Sequence, residues 1–274
     1  MVIYITITFH ARKCYTTYLA LSLKNTPMKK HSTLLVLTMV LCIGVNTAWA
    51  QENLEQEVAT SESKYSLDFS VDIVSRYLWR GLLYSPSPNI QPTLTFSAGG
   101  FSIGAWGSYS LSEQYAEVDL FVSYNTGPLT LMVYDYYAED ETDLTAVDYF
   151  KWKNETTGHQ LEGTIMFGGT DKIPFTLTAA TFFYGNDKNA DGDNNYSTYF
   201  EIAYPVKVAG QEVNLFLGGT PAEGLYHTEA GIVNVGFSTS KNLKITDSFE
   251  LPVKGTFAVN PAAKDVFFVI GLTF

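Results

Sequence analysis

From residue 65 to the end of the chain, side chains alternate between apolar and polar with a period of two, and no stretch there carries a convincing apolar repeat of 3.6. This pattern constrains the fold more than any other feature. Period two belongs to a strand with one face against apolar material and the other against water, whereas an amphipathic helix repeats every 3.6 residues. In "YSLDFSVDIVSRYLWR", Tyr65, Leu67, Phe69, Val71, Ile73, Tyr77 and Trp79 fall on one face, and Ser66, Asp68, Ser70, Asp72, Arg76 and Arg80 on the other. Read as one strand, it spans 16 residues, about three times the usual length.

Further alternating segments fall at 90–98, 101–110, 115–125, 128–137, 158–168, 174–185, 196–206, 212–220, 229–238, 243–259 and 265–274. Short turns ("AGG" at 98–100, "NTGP" at 125–128, "VAGQ" at 208–211) alternate with longer polar connections such as "YGNDKNADGDNN" at 184–195. A barrel with an even strand number has this long–short alternation. Parity leaves one crossing between residue 137 and the turn near 168–174, so "DYFKWKN" at 148–154 belongs to a long loop or to a hairpin beyond the wall. The expectation is all-β: a transmembrane antiparallel up-and-down β-barrel of 12 strands, with 14 as the other count.

Face chemistry sets which side is outward. One face runs through Phe96, Ile103, Val122, Leu131, Ile165, Leu177, Phe200, Leu217, Val235 and Phe237; the other carries Thr95, Ser102, Ser108, Glu117, Asp119, Thr164, Glu162, Glu201, Asn234 and Glu250. A soluble barrel turns its apolar face inward, while a porin turns it toward lipid and keeps polar groups around water. Tyr77, Tyr109, Tyr124, Tyr136, Tyr184 and Tyr204 near strand ends suit aromatic girdles. Closure removes unpaired strand edges, which hydrocarbon cannot satisfy. The final "DVFFVIGLTF" then needs no protein over its stripe of Val266, Phe268, Ile270, Leu272 and Phe274, because lipid covers it. A terminal Phe after such alternation also resembles the signal by which barrel insertion machinery recognises its clients.

The leader fits this destination. Residues 1–50 hold no Asp or Glu and five Lys or Arg, leaving 12 basic against 28 acidic residues in the remainder, a formal charge of −16. From Met28, Lys29 and Lys30 precede a 13-residue apolar core, Thr33 to Val45, and an Ala48-Trp49-Ala50 site. That pattern predicts a signal peptide at 28–50, too short for a membrane helix, which needs about 20 residues. Residues 1–27 read as an upstream start-site extension, 51–64 as a disordered acidic periplasmic tail, and 65–274 as the barrel. Both cysteines, Cys14 and Cys42, fall before the cleavage site, so no disulfide framework is expected.

Ser75-Arg76-Tyr77-Leu78-Trp79-Arg80-Gly81, Gln91-Pro92, "FSIGAWGS" at 101–108, Asn260-Pro261 and Phe274 together resemble the TorF-type porin family of small Gram-negative outer-membrane barrels. The resemblance implies a barrel and a channel, and brings no catalytic residues or substrate with it.

Candidate chemistry is sparse. Asp187, Asn189, Asp191 and Asp193, with Gly192, resemble the start of a calcium loop, but Thr198 stands where a bidentate Glu is required, so a plain polar loop is preferred and no cofactor is expected. The only histidines after the leader, His159 and His227, lie in no recognisable motif, so no enzyme is expected. The acidic balance argues against nucleic acid. Arg76 and Arg80, four apart on the inward side, could step an acidic solute through the lumen, or pair with inward carboxylates, which is preferred. The expected lumen carries Asp68, Asp72, Glu117, Asp119, Glu162, Glu201, Glu212 and Glu250 against Arg76, Arg80, Lys244 and Lys254, with Glu139, Asp140, Glu141 and Asp143 in the outer loops. That excess predicts a porin for small polar solutes with weak cation preference, located in the bacterial outer membrane. The alternatives are a non-conducting surface-binding or structural barrel filled by Trp106, Phe121, Tyr134, Phe182, Tyr184 and Phe216, a channel for an acidic solute, and a soluble periplasmic barrel around an apolar ligand.

Overall fold

The computed structural model describes residues 64–274 apart from Leu144 and Ala146. The expected extension, the signal peptide and all of the acidic tail but Lys64 lie outside the described residues. There are fifteen strands and no helix among the described residues: β1 (Tyr65–Val74), β2 (Tyr77–Trp79), β3 (Leu82–Ser85), β4 (Asn89–Ala98), β5 (Phe101–Ser110), β6 (Tyr115–Thr126), β7 (Leu129–Tyr136), β8 (Ala138–Asp140), β9 (Gln160–Phe167), β10 (Thr176–Gly185), β11 (Thr198–Val208), β12 (Gln211–Thr220), β13 (Gly231–Lys244), β14 (Glu250–Asn260) and β15 (Asp265–Thr273).

Twelve of them close into one antiparallel ring, β1-β4-β5-β6-β7-β9-β10-β11-β12-β13-β14-β15, with β15 returning to β1. β8 lies outside the ring and adds to β6, Ala116 opposite Glu139. Polarity is inverted relative to a water-soluble core. Phe69, Ile103, Ile165, Phe200 and Phe268 are each more than half exposed, while Ser108, Glu117, Asp119, Glu162 and Asn234 are buried. The alternation is therefore a real division between an apolar outer wall and a polar interior. Turns at 99–100, 127–128 and 209–210 mark one rim, and the connections at 137–159, 186–197 and 221–230 mark the other.

Three sequence expectations change, and a fourth is decided between its two alternatives. The first strand is not 16 residues long: β1 stops at Val74, and the chain turns inward as the separate hairpin β2–β3. β13 does not stop near 238 but pairs with β14 as far as Lys244 opposite Glu250, because cross-strand pairing outweighs the low strand propensity of Ser240-Lys241-Asn242. A bulge in β10 places Tyr184 opposite Leu161, so Tyr184 leaves the lumen face that Phe182 keeps. Residues 148–154 form a loop without a strand.

The closing seam is short. β1 pairs with β4 along all of Tyr65–Val74, but with β15 only at Asp72–Val74, extended by reciprocal backbone bonds between Val71 and Phe274 at 3.1 and 3.0 Å. Asp68 and Glu250 have inward parity, yet both are exposed at the short-turn rim, on strand ends that run past Phe274. They do not line the enclosed lumen.

Candidate functional site

The hairpin 77–85 occupies the lumen. Its two-residue turn, Arg80-Gly81, has positive φ at both positions, 50° and 81°. That is the twist a tight hairpin requires, and it favours Gly at the second position. A Cβ on Gly81 would lie 1.9 Å from the Val233 carbonyl oxygen, so only glycine fits against β13. Asn260 at the end of β14 donates to the Gly81 carbonyl at 3.1 Å and pins the tip. At the return, Ser85 donates to Glu113 at 2.9 Å and Ser87 contacts Ser110 at 2.5 Å, tying the hairpin to the β5–β6 loop.

Arg80 forms the centre of the cluster. Its guanidinium makes a two-point contact with Glu162 of β9, at 2.5 and 3.0 Å, and donates to the Tyr226 hydroxyl at 2.6 Å. Glu162, fully buried, also accepts from Tyr136 at 3.2 Å and Thr164 at 2.8 Å. The guanidinium carbon lies 4.4 Å from the Trp79 ring centroid and 4.9 Å from that of Tyr199. Trp79 packs in turn on Tyr136, Phe182 and Tyr226. Burial opposes a charged guanidinium, and the Glu162 carboxylate and the Tyr226 hydroxyl compensate it. One hairpin thus links β9, β10, β11, β13 and the β12–β13 loop through a desolvated charge pair, whose parts are costly to separate.

Chambers remain on both sides of this crossbar. Toward the long loops, Tyr84, Glu117, Gln160, Phe182 and Leu225 surround about 250 Å³. Toward the short turns, one chamber of about 380 Å³ is lined by Tyr77, Trp106, Asp119, Tyr134 and Thr178. Another, of about 220 Å³, is lined by Asp72, Arg76, Gln91, Lys254 and Thr256. A further hollow of about 820 Å³ lies on the outer wall among Phe200, Ile202, Leu217 and Ile232. Its apolar lining belongs to the outward stripe rather than to a site with convergent polar groups.

The sequence-predicted residues sort as follows. Arg80 and Glu162 meet, which agrees with the paired reading of Arg80, although Arg80 projects from the hairpin turn and not from a wall strand. Arg76 also leaves the wall and faces the chamber that holds Lys254. Asp72 accepts from Thr273 at 2.6 Å. Glu117 and Asp119 are buried side by side on β6; Glu117 accepts from Tyr115 at 2.6 Å, and Asp119 from the Tyr137 amide at 3.3 Å. Glu201 accepts from Tyr199 and Asn234. Glu212 is exposed, and Lys244 pairs with Asp247 outside the enclosed lumen.

The calcium-loop candidates do not converge. Asp187 is buried and its carboxylate accepts from the Ser197 amide and hydroxyl, while Asn189 accepts from the amides of Asp191 and Asp193. Among the described residues no group of three or more His, Cys, Asp or Glu is placed to hold a metal. His159 is buried, with Nδ1 against Asp135 at 2.8 Å and Nε2 donating to the Tyr149 carbonyl at 2.7 Å. Trp152 stacks on its ring at 3.7 Å. Both nitrogens are engaged, so this pair fastens the long loop to the wall and offers no free base to a nucleophile.

The hairpin was the functional element hardest to find in the sequence. Its signal was "YLW-RG-LLYS", two apolar runs split by two residues ending in Gly. Arg in place of the usual Asn or Asp hid it inside the longer alternation. No family model and no curated protein matches the chain.

Proposed function

We propose that the chain is a bacterial outer-membrane barrel that passes small polar solutes passively, with weak cation preference, through a lumen narrowed by the hairpin 77–85. The observation that carries this is the inverted wall: a closed ring with large apolar side chains exposed all round and ionisable groups buried inside. Such a surface is stable against hydrocarbon and a liability in water. The same observation disfavours a soluble barrel around an apolar ligand. On this reading the partners are outer-membrane lipid, the insertion machinery that takes the strand ending at Phe274, and small polar solutes. Neither catalysis nor nucleic-acid binding is part of the role.

The hairpin crossing the lumen favours a second reading, a barrel that does not conduct until the hairpin moves. An acidic-solute channel is less favoured, because Arg80 is already neutralised by Glu162 and Arg76 alone remains of the two.

The protein is expected to fractionate with outer membranes and to migrate differently on gels when boiled; recovery in the soluble periplasmic fraction rejects the membrane reading. In a planar bilayer, small discrete currents support the channel, and a folded barrel without current supports the closed reading. Selectivity follows from the charges along the lumen: Asp72, Glu117, Asp119, Glu162 and Glu201 outnumber Arg80 and the two exposed cations, Arg76 and Lys254, that face the chamber of about 220 Å³. Over a lumen narrower than about twice the ~8 Å Debye length, that excess is incompletely screened. Under a KCl gradient the reversal potential is expected to show a mild preference for K⁺ that falls as salt rises. An anion-selective channel overturns this charge assignment.

A further inference from the structure

We propose that the chamber of about 380 Å³ between the hairpin and the short-turn rim is a binding site for a small organic cation. Its volume suits a small-molecule site. The inference deepens the cation-preferring reading of the lumen, but needs only access from the short-turn end, where Thr130, Met166 and Thr178 carry the lining to the strand ends.

Two independent features meet there. The first is aromatic: the rings of Tyr77, Trp79, Trp106, Tyr134 and Tyr136 line the chamber. Tyr77 lies 5.4 Å from Trp106, and Tyr134 stacks on Tyr136 at 5.2 Å, so the rings are held in place by one another. Fixed aromatic rings attract a cation through their quadrupole, most strongly when it is already out of water.

The second is charge. Asp119 lines the chamber and is 2% exposed, and Glu117, two residues before it on the same face of β6, is 4% exposed. Neither pairs with a Lys, Arg or His among the described residues; Arg80, which also lines the chamber, is engaged by Glu162 and counts as a neutral pair. Buried carboxylates are ordinarily paired with a cation, and these two have none among the described residues. A cation entering the chamber supplies the missing charge and displaces water from the rings. A sugar would use the rings but leave the carboxylate uncompensated, and an anion would be repelled.

The test uses the folded full barrel in detergent micelles, with heat-modifiable migration as the folding check. Choline is the probe and 3,3-dimethyl-1-butanol its neutral isostere, both titrated by calorimetry. Choline is expected to bind at least about tenfold more tightly than the isostere, the scale of one desolvated cation–ring contact. Asp119→Asn, which keeps the shape of the side chain, should abolish that difference while leaving weak isostere binding intact, and Trp106→Leu should weaken choline. Equal binding of the two probes by wild type, no binding of choline, undiminished choline binding by Asp119→Asn, or equal competition by glucose each overturns the proposal. Because binding is read without current, a non-conducting barrel that still discriminates choline sinks only the channel reading.

Discussion

Gly81→Val is expected to expel the hairpin from the lumen and to raise single-channel conductance several-fold, or to produce current where wild type has none. The reason is steric and local. At φ +81° a β-branched residue is strained, and its Cβ would sit 1.9 Å from the Val233 carbonyl oxygen, a backbone atom of β13 that cannot swing away. Strain at such a φ costs about 1–3 kcal/mol, and relieving the clash means withdrawing the tip from Asn260 and Glu162. Gly99→Val supplies the control. Gly99 also has positive φ, +59°, but nothing lies within 4 Å of a Cβ there, so it introduces strain in a short turn without touching the hairpin. Retained heat-modifiable migration in both variants shows that the ring is closed. A Gly81→Val barrel that conducts no more than Gly99→Val means that the hairpin is not the obstruction.

That the barrel was legible and its crossbar was not has a physical cause. Wall residues such as Ile103, Val122 and Val133 meet in register across β5, β6 and β7, and each is exposed on the same outer wall. Alternation therefore reports their environment directly. Strand number followed from parity, since turns must return to the same rim. The lumen is different, because hairpin and wall both present polar or aromatic groups to it, and local periodicity does not distinguish them. Tyr77 and Trp79 continue the outward parity of β1, yet their rings pack inside on Trp106 and Tyr136. Arg80 and Glu162 lie 82 residues apart, and only the closed ring makes them neighbours. Asp68 and Glu250 failed as lumen residues for a related reason: parity gives a face, but the length of the adjacent strand decides whether that face is enclosed.

The Arg80–Glu162 pair allows stability and selectivity to be tested with one set of variants. Removing either partner leaves the other buried without compensation, which costs about 3–5 kcal/mol in such sites, whereas replacing both by apolar groups of similar volume is close to neutral. Arg80→Met and Glu162→Gln are each expected to lower the urea midpoint of the barrel in lipid vesicles, and Arg80→Met with Glu162→Met to recover most of the loss. A double variant no more stable than the singles would show that the two groups act through separate contacts, Arg80 through the rings of Trp79 and Tyr199 and Glu162 through Tyr136 and Thr164. Selectivity should follow the charge left behind. Arg80→Met exposes a carboxylate at the constriction and strengthens the preference for K⁺; Glu162→Gln leaves the guanidinium and weakens or inverts it; the double variant removes a neutral pair and returns to the wild-type reversal potential. Stability and selectivity respond to different properties of the pair, the first to desolvation and the second to net charge. A double variant with restored stability but shifted selectivity therefore places part of the selecting field in the Arg80–Glu162 pair itself, while restoration of both assigns it to the other charges of the lumen.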